Sequence, residues 1–167
     1  MSNIRTTVVG EINISKKLKN LSKKGKDLIA HAVFKSVADV EKHAKKSISQ
    51  GNPSGRIYQR YNNRRTHQAS APGQPPASDT GFLVNNINRR IYHDKMGGEI
   101  ASRSTYAKYL EFGTSKMLPR PYMFPAMEKN KKKIKDRIKK AIQAAAKSST
   151  KQWQITVLIY KKQFLAL

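Results

Sequence analysis

The chain has 167 residues, no cysteine, and 34 lysines and arginines against 10 acids, for a formal net charge of +24. That length fits one domain with short extensions, and the absence of cysteine excludes disulfides and thiolate metal sites. No apolar run is long enough for a bilayer and Met1–Thr6 lacks a signal-peptide stretch, so a soluble, unexported protein is expected; a charge far above the usual magnitude of about 2 to 8 implies an anionic partner, either nucleic acid or acidic protein.

Residues 1–13 form an N-terminal arm in which Val8, Val9 and Ile12 fit a short strand or a flexible segment equally. From Ser15 to about Ile48, Leu18, Leu21, Leu28, Ile29, Val33, Val37, Val40, Ala44 and Ile48 recur at intervals of three and four, with lysines opposite. This spacing predicts a long amphipathic helix capped by Ser15 and weakened at Gly25.

Residues 51–78 are of another kind: Gly51, Pro53, Gly55, Pro72, Gly73, Pro75 and Pro76 forbid a continuous helix and no apolar period replaces it. A long loop is expected, and long loops in compact domains usually serve a function or lack order. Arg56, Arg60, Arg64 and Arg65 stand among Tyr58, Tyr61 and His67, and no acid occurs between Glu41 and Asp79. Such a segment suits phosphate contact and base stacking, or contact with an acidic protein; the plain alternative is a solvated arm.

Asp79 and Thr80 are suited to cap a helical turn carrying Phe82, Leu83 and Ile87. The segments 88–93 and 99–103 flank Gly97-Gly98, whose freedom at positive φ predicts a β-hairpin. Residues 104–112 predict a short helix ended by Gly113, and Pro119 and Pro121 force an extended turn. Pro125 then opens a second amphipathic helix with Met127, Ile134, Ile138, Ile142 and Ala145 on one face, expected to pack on the first helix or the sheet. Its other face carries Lys129, Lys131, Lys132, Lys133, Lys135, Lys139 and Lys140, either a solvated face or a lumen lining. In residues 148–167, Trp153, Ile155, Val157 and Ile159 alternate with Gln154, Thr156, Leu158 and Tyr160, a period of two that predicts a C-terminal strand extension.

Four segments in fixed order carry further information: Ala71-Pro-Gly-Gln-Pro-Pro76, Asp79-Thr80-Gly81, Tyr106 to Thr114 with Tyr109, Glu111, Phe112 and Gly113, and Pro119-Arg120-Pro121-Tyr122. Through them the region 14–147 resembles the neck, or head-to-tail joining, family of long-tailed bacteriophages. That family is named after the gene-ten product of Hong Kong 97-type phages and is related to minor tail proteins of the Z type. The resemblance implies a tail-terminator-like ring protomer, six or twelve copies of which complete or attach the tail at the head-tail junction. Connector or adaptor and tail-tube proteins would be its neighbours, and packaged DNA would be touched non-specifically in the channel. The virion neck would be its location, after synthesis in the host cytoplasm. Neck protein and tail terminator both remain open.

The fold expected is therefore α+β: two long amphipathic helices on a small antiparallel sheet, with a long basic loop. Glu111 and Arg120 are placed to form a bidentate pair that fixes the intervening loop. Phe112 and Tyr122 read as core anchors with Gly113 a helix C-cap; in a ring protomer, Phe82, Tyr109, Phe112, Tyr122 and Phe124 read as interface anchors, and Arg56, Arg60, Arg64 and Arg65 as anion contacts. His31, His43, His67 and His93 lack metal-ligand spacing, His31 reading as a helix residue near the core edge; the acids are scattered, and no phosphate-cradling glycine loop occurs. No enzyme, cofactor, metal or membrane role is expected. A non-specific nucleic-acid-binding protein is the alternative, for which charge alone suffices.

Overall fold

The computed structural model describes residues 23–60, 65–93 and 97–164, with side chains described only through residue 147 and not at Arg60 and Arg65. The N-terminal arm, the helix start at Ser15 and the residue Arg64 lie outside the described residues.

The first long helix is α1, Lys23–Ser49. Its apolar stripe of Ile29, Val33, Val37, Val40, Ala44 and Ile48 is buried as the three-and-four spacing predicts. Exposed His31 lies off that stripe and off its edge. The region read as loop contains a small hairpin instead, β1 (Ile57–Arg60) paired antiparallel with β2 (Arg65–Gln68). Sequence periodicity failed there because each strand has only four residues, β1 with its two apolar residues adjacent and β2 with none, so neither shows an apolar alternation. The turn after β2 is stapled by Gln74, whose Oε1 accepts from the Ala71 amide at 2.9 Å and the Ser54 hydroxyl at 3.1 Å.

A single turn, α2 (Phe82–Asn85), leads into the second hairpin, β3 (Ile87–Tyr92) and β4 (Gly97–Ser102). Thr80 does assist α2, its hydroxyl accepting weakly from the Phe82 amide at 3.4 Å; the N-cap is Gly81, in the left-handed region at φ 77°, so Asp79 is not the cap. In the second hairpin, Ile87 pairs with Ser102 and Tyr92 with Gly97, as expected for strands at those positions. Gly98 has a different purpose from the one anticipated. Gly98 does not adopt positive φ, but a Cβ on it would lie 2.7 Å from Val37 Cγ2. Gly98 is there so that β4 can approach α1 closely.

After α3 (Ala107–Phe112), Gly113 takes the expected C-cap at φ 76°. The last element, α4 (Met123–Phe164), is 42 residues long, roughly 63 Å at 1.5 Å per residue. It corrects the C-terminal strand: residues 151–164 continue the helix. The alternation was misleading because Leu158 and Tyr160 interrupt the polar set, while Trp153, Val157 and Tyr160 also fit helical spacing. Nor does any glycine or proline after Pro125 stop the helix.

α1 is the central element, with α4 packed along it and the β3–β4 hairpin against another side. The α1–α4 seam is antiparallel, since His43 meets Asn130 at 3.2 Å while Asp39 meets Arg137 at 2.6 Å. Ile134, Ala126 and Ala145 complete the core from α4, and Met127, Ile138 and Ile142 pack at its margin. The fold is α+β, as the sequence predicts.

Candidate functional site

The turn-rich middle of the chain builds a carboxylate-centred junction. Glu111, on α3, is buried, and its two oxygens accept three backbone amides at the start of α4: Tyr122 at 3.0 Å, Met123 at 3.1 Å and Phe124 at 2.8 Å. A helix N-terminus offers unpaired N–H groups and a positive dipole end, and one carboxylate answers both. The expected Glu111–Arg120 pair therefore does not form. Arg120 instead donates its Nε to the Ser70 carbonyl at 3.1 Å, and its amide bonds the Leu110 carbonyl at 2.7 Å. The two prolines hold Arg120 toward the 70s loop rather than toward α3.

Tyr122 is buried at 2 % exposure and confirms the core-anchor reading, so it does not serve as a surface anchor. Burial pushes its phenol pKa up to about 12 despite a hydrogen bond with Ser102. Phe112 behaves in the opposite way. At 63 % exposure it is no core residue. In α3, Ala107, Leu110 and Glu111 turn inward, while Tyr106, Tyr109 and Phe112 recur every three residues on the exposed side. Phe82 extends this stripe, its ring centroid 6.2 Å from that of Tyr106, and Phe124 is exposed beside the Glu111 junction. Large apolar side chains gathered in this way mark contact surfaces.

Beside the stripe lies an open cleft of about 430 Å³, lined among others by Tyr58, His67, Asp79, Phe82, Tyr106 and Arg120. His67 Nδ1 lies 3.9 Å from Asp79 Oδ1, tying the β1–β2 hairpin to the loop before α2. The described residues contain no group of three or more histidines, cysteines or acids able to hold a metal. No helix among them is long and apolar enough to cross a membrane.

Of the four arginines singled out, Arg56 is exposed and its guanidinium stands 5.6 Å from the Tyr58 ring centre. Arg60 and Arg65 face each other in the hairpin register.

The acids explain why so much positive charge is left outside. Asp39 accepts from Arg137 at 2.6 Å and Lys133 at 2.9 Å; the Arg137 hydrogen bond leads in holding its pKa below the ordinary value, against partial burial. Burial raises Glu41, but Lys45 and Arg89 outweigh it and the net shift is downward. Glu99 faces Arg90, Glu128 holds Lys131, and Glu111 is committed to α4. Sequence reading missed these assignments; the pairs of Asp39 with Lys133 and Arg137, and of Glu41 with Arg89, join residues far apart in the chain.

Residues 13–113, more than half of the chain, match the family model HK97 gp10-like, whose description is a bacteriophage HK97 gp10 tail-component. No curated protein and no solved structure matches.

Proposed function

This chain belongs to the HK97 gp10-like family of bacteriophage tail components, and from that premise we propose that it works by assembly, as one subunit of a ring at the head-tail junction. Six or twelve copies join head to tail about a closed axis, encircle the DNA channel, and help complete or attach the tail. Connector or adaptor and tail-tube proteins flank the ring, and no substrate is turned over. The observation that carries this reading is the aromatic stripe of Tyr106, Tyr109 and Phe112 with Phe82, left in solvent by a fold that has a separate filled core. Aromatic residues are enriched in the buried centres of protein interfaces. Gly113, Glu111 and Arg120 shape the protomer by fixing α3 against α4 and the 70s loop.

Sedimentation and negative-stain microscopy test this. Wild-type protein, alone or with its neck neighbours, is expected to give discrete rings, and Tyr109→Ser/Phe112→Ser a folded monomer. A wild type that stays monomeric in every mixture overturns the proposal, as does a double variant that assembles unchanged. The net charge supports a second reading, a free non-specific nucleic-acid-binding protein. That protein would bind oligonucleotides as a monomer and form no ring.

A further inference from the structure

The ion pairs leave an uneven remainder on the α1–α4 layer. On α4, Lys131 is held by Glu128, and Lys133 and Arg137 by Asp39; Lys129, Lys132, Lys135, Lys139, Lys140 and Lys147 have no acid partner among the described residues. On α1, Lys35, Lys42 and Lys46 are exposed and likewise without one. Their placement is set by helical geometry at 100° per residue and by the side-chain contacts across the seam. Asp39 marks one flank of the seam on α1, and Lys35, Lys42 and Lys46 project from that same flank, away from Val37 and Glu41, which turn toward the β3–β4 hairpin. Lys133 marks the facing flank on α4, and Lys129 and Lys140 project beside it. Because the helices run antiparallel with His43 opposite Asn130, Lys46 and Lys42 stand across from Lys129 and Lys133, and Lys35 from Lys140.

We propose that this flank, Lys35, Lys42 and Lys46 of α1 with Lys129, Lys133 and Lys140 of α4, is a binding surface for the phosphate backbone of DNA. It deepens the reading of a ring around a DNA channel by assigning the DNA-facing element to the long helices rather than to the arginine-bearing hairpin. Two rows of lysines about 16 Å long lie on neighbouring helices whose axes are about 8–10 Å apart. One strand of duplex advances about 3.4 Å per phosphate, so each row spans roughly five phosphates. Two described acids lie within the patch against its six lysines: Asp39, whose charge is already held by Lys133 and Arg137, and exposed Asp136, one helical turn before Lys140.

The chemistry favours nucleic acid over an acidic protein. Lysine is depleted from the buried centres of protein interfaces, which need an apolar or aromatic core. This flank has none: Phe34, the exposed aromatic of α1, packs under Arg89 on the side of the β3–β4 hairpin, and the others stand on β1, on α2, around α3 and in the first turn of α4. A field of point charges without side chains for reading bases suits sequence-independent contact.

Fluorescence anisotropy with a random 30-base-pair duplex tests the assignment, read as the slope of log affinity against log salt concentration. Lys35→Gln/Lys42→Gln/Lys140→Gln is expected to flatten that slope by roughly 2 to 3, since each lost phosphate contact removes about 0.9. Arg103→Gln/Lys108→Gln/Lys116→Gln removes equal charge from exposed positions elsewhere and is expected to leave the slope within about one of wild type. Equal effects of the two triples overturn the proposal, as does retention on poly-glutamate with no DNA binding at the same salt. Ring formation scored in parallel separates the two claims: the flank variant should still assemble, and a wild type that forms no ring defeats the assembly reading while leaving the slope comparison to decide this one.

Discussion

Replacing Glu111 by alanine removes the acceptor of three backbone amides at the head of α4. A hydrogen bond to a charged acceptor contributes about 1.5–3 kcal/mol, which gives an upper sum of roughly 5–9 kcal/mol for three independent bonds. They share one carboxylate and do not add, and the Phe124 amide is only partly buried, so water replaces part of what is lost. Measured losses of single capping side chains are about 0.5–2 kcal/mol. Between these limits, Glu111→Ala is expected to cost about 3–4 kcal/mol, a large part of a total of about 5–15 kcal/mol. Glu111→Gln keeps one carbonyl acceptor but sets an amide NH2 against amide donors, and should cost about half as much. Urea denaturation followed by far-ultraviolet circular dichroism measures both. Glu128→Ala serves as the control, since it removes the same charge from an exposed pair with Lys131 and should stay within about 0.5 kcal/mol of wild type. A Glu111→Ala midpoint indistinguishable from that control would show that the junction is ornamental.

Gly98→Val should destabilise by about 1–3 kcal/mol, because its Cβ would meet Val37 at 2.7 Å and force β4 off α1; thermal unfolding measures it, and a neutral result refutes close packing as the reason for that glycine. Gly113→Ala should cost about 1–2 kcal/mol or more, since φ is 76° and the added carbon would lie 2.7 Å from the Met117 carbonyl oxygen; an unchanged melting temperature refutes it. Asp39 and Glu41 both have folded-state pKa values below their ordinary 3.8 and 4.5, so their contribution is fully present above those values and is lost as pH falls through the lower, folded ones. The stability gap between wild type and Asp39→Asn/Glu41→Gln should therefore be constant from pH 7 to about 5 and shrink progressively below about 4. A gap that persists undiminished at about pH 2 in urea titrations refutes the pairing account.

Both long helices, the second hairpin and the short helix before Gly113 were legible because each has a local signature: an apolar period, a break, or a cap. The first hairpin was not, since a four-residue strand such as Ile57–Arg60, with Ile57 and Tyr58 adjacent rather than alternating, carries no period. The C-terminal stretch was misread because apolar residues fell on both of its alternating faces, which leaves helix and strand equally possible until helix continuity decides. At the candidate site the aromatic residues were legible as a group, but Tyr122 and Phe112 went to opposite sides of the surface, a distinction set by the direction in which α3 faces. Glu111 stood out with the wrong partner: complementary charge pointed to Arg120, whereas the backbone amides of Tyr122, Met123 and Phe124 lay nearer. Partners far apart in the chain, such as Asp39 and Arg137, leave no trace in a single sequence.

The three amides held by Glu111 also have a mechanical meaning. One carboxylate is planted on α3 while its grip is on the root of a rod some 63 Å long, so the short helix cannot tilt without steering the rod. If subunits join through α3 in the ring proposed above, the bearing of every spoke, and of the charged flank it shares with α1, would be set at that joint.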